Sequence, residues 1–152
     1  MNSVGTYTVK IDNKGRLRLP SKLLKVLSNG GTHGHFYIAR GVGKCLKLFT
    51  EDLWARETSK LMKLDRTIAT NEIMIRAFFH GASQVSTDAA DRISLNPLQM
   101  EMTEIKDEVV INHFLDTVEI WAKENIMTQQ NLVIDDFALK REAAFHPEKK
   151  AE

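Results

Sequence analysis

The sequence predicts an α+β chain built from two related halves. Three observations carry that expectation. Short runs with the period-two alternation of half-buried strands are separated by apolar residues at helical spacing. The segment Lys10-Ile11-Asp12-Asn13-Lys14-Gly15-Arg16-Leu17-Arg18-Leu19-Pro20 reads as a hairpin with two faces. A weaker copy, Val85 to Leu95, repeats its Asp-x-x-x-Arg spacing, so that Asp12 and Arg16 recur as Asp88 and Arg92.

In the first copy Tyr7, Val9 and Ile11 alternate with Thr8, Lys10 and Asp12, and Leu17 and Leu19 alternate with Arg16 and Arg18. Asn13, Lys14 and Gly15 suit a type I turn closed by a left-handed residue, with Gly15 holding the positive φ that a β-carbon disfavours. Val9, Ile11, Leu17 and Leu19 then turn inward. Lys10, Arg16 and Arg18 turn outward, with Lys14 at the tip. The bland alternative is an edge hairpin whose charges only keep it soluble. The second copy weighs against it.

A short helix follows from Pro20, with Leu23, Leu24 and Leu27 as its apolar stripe and Asn29-Gly30 as its stop. Thr32 to His35 reads as a polar loop. His33 and His35 lack a nearby third metal ligand. Phe36–Ala39 and Leu46–Phe49 read as strands joined by Gly41–Lys44, which lacks Walker spacing. Cys45 reads as a small buried residue. Thr50 caps a helix carrying Glu51 and Asp52 in its first turn and running to about Leu64. Thr67 to Gly81 reads as mixed helix and strand, with Ile73–Phe79 leading toward the second repeat.

That repeat departs from the first. Asp91 replaces Gly15, and Asn96-Pro97 follows where Pro20 stood. From Asp88 to Glu104 four acids accompany one base, Arg92. Arg92 therefore either contributes less to phosphate binding or has a structural partner. Val109–Ile111 and Thr117–Ile120 give two more strands, with Trp121 corresponding to Phe49. Ala122 to about Phe145 reads as one helix, and His146 to Glu152 as a frayed tail.

"KIDNKGRLRLP" followed by a second Asp-x-x-x-Arg closely resembles the MraZ family, of the AbrB/SpoVT-like swapped-hairpin superfamily. The resemblance runs from about Gly5 to Trp121 and includes "CLKLFTEDLW", "DEVV" and "VEIW". Gln99 and Met100 depart from it, standing where the family shows Leu-Arg. The resemblance implies a double AbrB-like swapped-hairpin β-barrel, a pseudo-dimer within one chain, with flanking helices. The repeats would occupy 5–52 and 81–124, joined by a helical segment 53–80 and followed by a C-terminal helix and tail, 125–152. It also implies a bacterial transcription regulator that binds repeated double-stranded DNA boxes upstream of the division and cell wall gene cluster. The family assembles into closed homo-oligomeric rings, octamer-like.

Lys10, Lys14, Arg16, Arg18 and Arg92 are the expected DNA-binding residues. Arg16 offers a guanidinium fork that reads guanine or clamps phosphate. Lys10 and Lys14 supply phosphate contacts, which position without specifying. Asp12, Gly15, Asp88 and Asp91 are expected to shape the turns, with Asp12 orienting the loop rather than touching DNA.

Net charge is only +1, yet its distribution is uneven. Residues 1–66 hold thirteen Lys/Arg against five Asp/Glu, and residues 67–152 hold eight against fifteen. From Lys10 to Lys25 six bases accompany one acid, a dense field for phosphate. The opposite charges of the halves suggest head-to-tail packing of copies. A single cysteine excludes an intramolecular disulfide and suits a reducing compartment. No apolar run spans a membrane and no signal region opens the chain, so a cytoplasmic, nucleoid-associated protein is expected. Asp12 and Asp88 as paired catalytic carboxylates are disfavoured, because each sits in a turn with its own arginine. No enzyme, metal, cofactor or small-molecule substrate is expected. The alternatives are an antitoxin-like AbrB-fold interaction module and an RNA-binding protein. The fused repeat, with no long disordered toxin-binding tail, argues against the first.

Overall fold

The period-two segments form strands and the apolar-periodic ones helices. The computed structural model describes residues 4–28, 34–128, 132 and 134–149. In chain order they form β1 (Val4–Lys10), β2 (Arg16–Arg18), α1 (Ser21–Ser28), β3 (His35–Arg40), β4 (Cys45–Phe49), α2 (Glu51–Met62) and α3 (Ala69–Phe79). The second half continues with β5 (Ser83–Ser86), β6 (Arg92–Ser94), α4 (Pro97–Thr103), β7 (Glu108–Phe114), β8 (Thr117–Ala122), α5 (Lys123–Ile126) and α6 (Phe137–Phe145). A 3-10 turn, Pro147–Lys149, lies in the segment expected to fray.

Six strands make one antiparallel sheet in the order β1-β7-β8-β4-β3-β5. β2 and β6 make a separate two-stranded ribbon. The order of the large sheet is unchanged when the halves are exchanged, β1 for β5, β7 for β3 and β8 for β4. β1 of the first half pairs with β7 of the second, and β5 of the second with β3 of the first. The sheet is open, with β1 and β5 as its two edges, so the expected closed barrel is not formed. The halves interleave. The charge split along the sequence is therefore not a split between two ends of the molecule.

The inward faces make one core. Leu17 and Ile93 meet at the centre of the ribbon at 1% and 0% exposure, and Leu19 and Leu95 continue it. Leu23 and Leu27 of α1, with Phe36, Ile38, Leu46, Leu48, Ile111 and Ile120 of the sheet, complete it. Each such buried side chain contributes about 1.5–3 kcal/mol. On the sheet's outer face Cys45 is buried with Val110, Trp121 and Ile126, as a small core residue. Thr50 caps α2, its hydroxyl accepting the Leu53 N–H at 3.3 Å.

Three more expectations are corrected. Thr67–Gly81 contains no strand. α3 runs through to Phe79 because Phe78 and Phe79 pack at helical spacing around Trp54, with ring centroids 5.8 Å away. The single helix from Ala122 to Phe145 is instead two, α5 and α6. α5 stops at Ile126, where Met127 leaves helical geometry at ψ 37°, and α6 starts afresh after Asp136, whose φ of 55° is a left-handed conformation that no helix interior accepts. His35 is not in a loop. It opens β3, with its Nδ1 2.8 Å from Ser86 Oγ. His33, the Asn29-Gly30 stop and Val133, an apolar position of the expected C-terminal helix, lie outside the described residues.

Candidate nucleic-acid interface

Each Asp-x-x-x-Arg segment folds into the same turn. Asp12 Oδ1 accepts the backbone N–H groups of Lys14 and Arg16, both at 2.9 Å, and Oδ2 accepts the Arg16 Nε–H at 2.7 Å. Asp88 does the same with Ala90 N–H and Arg92 N–H at 2.9 Å and Arg92 Nε–H at 2.8 Å. An aspartate of this reach folds its carboxylate back over the next backbone amides, an Asx-type turn. The arginine at position five closes it.

These bonds hold both carboxyls below their ordinary value. For Asp12 the leading cause is the Arg16 backbone N–H, followed by the Arg16 guanidinium and the Lys14 N–H. For Asp88 it is the Arg92 backbone N–H, then the Ala90 N–H and the Arg92 guanidinium. The carboxylates stay charged, so each arginine keeps a fixed partner. That partner takes Nε, and among the described residues the terminal nitrogens have no other.

Gly15 closes the first turn at φ 80° and Asp91 the second at φ 60°, the left-handed positions expected from the sequence. The two turns also reach across to the other half. Gly15 C=O accepts Leu95 N–H at 2.8 Å, and Asp91 C=O accepts Leu19 N–H at 2.9 Å. These bonds extend the β2–β6 ladder at both ends.

Residues directly opposite in an antiparallel pair share a face. Arg16 is opposite Ser94, and Arg18 is opposite Arg92. Because Leu17 and Ile93 are buried, these four project from the outer face of the ribbon. The ribbon thus gathers Arg16, Arg18 and Arg92, with Lys14 exposed at the adjoining turn. Lys10 is exposed at the end of β1, where the strand leads into the first turn. Of the two alternatives for Arg92, the structural partner is the one observed: its Nε–H donates to Asp88, as that of Arg16 does to Asp12. The sequence could not show that Arg18 and Arg92 are neighbours, since that follows from cross-half register. Arg18 has no hydrogen bond or ion pair among the described residues. A recess of about 380 Å³ lies beside it, lined also by Tyr7, Thr8, Val9, Pro20, Ser21 and Asp91.

Two substitutions in the second half have a packing reason. Asn96 caps α4 in a capping box with Gln99: its Oδ1 accepts Gln99 N–H at 2.8 Å, and Gln99 Oε1 accepts Asn96 N–H at 2.9 Å. Gln99 is fully buried and donates from Nε2 to Gly81 C=O and Ser83 Oγ, each at 2.9 Å. These bonds tie α4 to the start of β5. Among the described residues no group of three or more His, Cys, Asp or Glu is placed to hold a metal ion. No described helix is long and apolar enough to cross a membrane.

The architecture is that of a mixed α+β protein in which two Asp-x-x-x-Arg repeats share one sheet and one basic ribbon. A family model described as "MraZ protein, putative antitoxin-like" matches residues 3–76. A protein of Caldicellulosiruptor saccharolyticus named transcriptional regulator MraZ is 32% identical over 142 residues, covering 91% of this chain and 96% of its own. Proteins of the same name from Flavobacterium psychrophilum and Dictyoglomus thermophilum are 31% and 35% identical, over 89% and 80% of this chain and 86% and 80% of theirs. The chain belongs to the MraZ family.

Proposed function

We propose that this chain is a bacterial transcription regulator that binds duplex DNA through the outer face of the β2–β6 ribbon. The observation that carries the reading is the co-facial placement of Arg16, Arg18 and Arg92 on a ribbon whose other face is buried. A two-stranded ribbon fits the major groove of B-DNA, where arginine forks recognise guanine. Arg16 and Arg92 are held by their aspartates and so enter with little rotamer freedom to lose. Lys14 and Lys10 contact flanking phosphates. Asp12, Gly15, Asp88 and Asp91 shape the turns.

The strand order, symmetric under exchange of halves, supports the swapped-hairpin pseudo-dimer, with repeats at 5–52 and 81–124. The segment 53–80 connects them, and 125–152 carries the C-terminal helix and tail. Homo-oligomeric rings, as the family resemblance implies, would place several ribbons on successive DNA boxes. Later contacts would then be effectively intramolecular. The site calls for no cofactor and no chemistry, and the protein works in the cytoplasm on the nucleoid.

A gel-shift with the DNA directly upstream of this protein's own gene, against a duplex RNA competitor, tests the reading. A specific shift that RNA does not compete is expected. A shift competed equally by duplex RNA, or none at all, would overturn it.

A further inference from the structure

A second basic group lies away from the ribbon. On α2, Leu53, Arg56, Glu57 and Lys60 fall at i, i+3, i+4 and i+7, one stripe of the helix. That stripe is one wall of a cleft of about 230 Å³. Its other walls are Lys47 to Phe49 of β4 and Asp116 to Val118, where the turn enters β8. Lys47 alternates with Leu46 and Leu48 of the core, so it faces the side of the sheet opposite the ribbon.

Three cations line this cleft. Arg56 and Lys60 stand one turn apart, a like-charge spacing that destabilises a helix. Lys60, in the last turn, gains from the helix dipole, and Arg56, a turn earlier, does not. Lys47 adds a third charge from the strand. It lies opposite Glu119, whose Oε1 accepts the Trp121 Nε1–H at 2.9 Å instead. None of the three cations has a hydrogen bond or ion pair among the described residues. The floor between them is apolar, with Leu48, Phe49 and Val118 buried. The two acids of the cleft make no ion pair with the cations. Asp116 Oδ1 accepts the Thr117 hydroxyl at 3.4 Å, and Glu57 also borders a second recess, beside Arg40.

We propose that this cleft binds a small phosphomonoester of the nucleoside monophosphate type. A phosphate carries nearly two negative charges and three strong acceptor oxygens, one for each of Arg56, Lys60 and Lys47. A carboxylate offers only two. The apolar floor takes a flat ring. Asp116 and Glu57 accept hydroxyl or amino donors from the sugar and base, which a bare phosphate lacks. Pockets for drug-sized ligands run from about 300 to 1,000 Å³, so this smaller cleft suits a single nucleotide. The inference does not depend on the DNA-binding reading, because the cleft and the ribbon lie on opposite sides of the sheet.

The test is calorimetric titration of the whole chain with each of the four ribonucleoside 5′-monophosphates, the matching nucleosides and inorganic phosphate. Wild type should bind at least one nucleotide at one site per chain, more tightly than inorganic phosphate, and should not bind the nucleoside. Arg56→Ala with Lys60→Ala, both at exposed positions, should keep the melting temperature and lose at least about tenfold in nucleotide affinity, the loss of charge-assisted hydrogen bonds. Arg18→Ala should bind the nucleotide as wild type does. If the double variant does not fold, Lys60→Gln alone should show the loss. Absence of nucleotide binding would overturn the inference, as would wild-type affinity in the folded double variant or, failing that, in Lys60→Gln. Inorganic phosphate binding as tightly as the nucleotide would overturn the ligand class. Loss of affinity in Arg18→Ala would place the nucleotide on the ribbon and overturn the cleft.

Discussion

Gly15 lies against Leu95: its carbonyl accepts the Leu95 N–H at 2.8 Å, and a β-carbon on Gly15 would stand 2.6 Å from the Leu95 carbonyl oxygen. The position excludes a side chain twice, by its φ of 80° and by backbone that cannot step aside. Gly15→Val should cost at least about 2 kcal/mol, from left-handed strain plus the clash. The melting temperature should fall by about 4–8 °C, at roughly 2–4 °C per kcal/mol for a chain of this size. Asp91→Gly should be neutral or slightly stabilising, because it relieves the same conformation at φ 60°. A Gly15→Val protein that melts like the parent would show the turn assignment to be wrong.

Arg16 is both a turn residue and a candidate DNA contact, and the two roles separate by measurement. Its side chain is 35% exposed and its Asp12 partner 34%, so losing the ion pair costs little stability in solvent. Arg16→Ala should therefore fold. Its DNA affinity should fall by about 1–3 kcal/mol, with discrimination relaxed at one position of the site. Undiminished, equally specific binding by the folded variant would remove Arg16 from the interface.

The two turns and the inward faces of their flanking strands were legible in the sequence because a strand's period and a left-handed turn residue are both local. So were the Thr50 cap and the inward leucines. The expected hairpin pairing was not met: β1 pairs with β7 and β2 with β6, and the arms of the first turn join only at the Ile11–Leu17 bridge. The pairing of Arg18 with Arg92 was not legible either, since no local pattern encodes which strand of the other half lies opposite. The alternation was compatible with a closed barrel, and only the observed partners of β1 and β5 show that they are edges. α3 was ambiguous because Ile73, Ile75, Phe78 and Phe79 suit a strand as well as a helix. Packing around Trp54 decided it.

His113 should make stability depend on pH. It is 1% exposed, and its Nε2 has no hydrogen-bond partner among the described residues. Burial depresses its pKa below the ordinary 6.5, against a hydrogen bond to the Leu115 backbone. The unfolded chain then binds the proton more readily than the folded one. This stability is complete above about pH 6.5 and is lost as pH falls through the folded-state value. Asp12 and Asp88, also depressed, add a loss of the same sign at lower pH, below their ordinary 3.8. Melts from about pH 7.5 to pH 5 should slope downward in the parent and flatten in His113→Leu. An equal slope in both would place the titrating group elsewhere.

Gln99 occupies in α4 the place that Leu23 holds in α1, which makes Gln99→Leu informative. The change gives the core an apolar group. It also strips partners from Asn96 N–H and Ser83 Oγ, while Gly81 C=O keeps only the Asn96 Nδ2–H donor at 3.1 Å. Leaving half-buried polar groups unpaired costs about 1 kcal/mol or more, more than the exchange returns. Urea unfolding should show a lower midpoint with an unchanged m-value. A raised midpoint would mean that the apolar contact outweighs the network.

Assembly and DNA binding should respond differently to salt. The interleaved halves remove the argument that copies attract through a basic end and an acidic end. What remains for subunit contact is exposed apolar surface: Ile73, Met74 and Phe79 on α3, and Phe137, Leu139 and Phe145 on α6. Contacts of that kind do not weaken with ionic strength, because burying apolar area releases no counterions. Each phosphate neutralised by the ribbon does release counterions, giving a log–log slope near −0.9 per contact. Lys10, Lys14, Arg16, Arg18 and Arg92 therefore bound the slope at about −4.5 per chain. Arg18→Ala should reduce it by about 1. Light scattering across a salt series should give a constant mass while DNA affinity falls steeply. A mass that falls in step with affinity would make the subunit contact electrostatic. A protein that is monomeric at low salt yet binds repeated boxes tightly would rule the ring out.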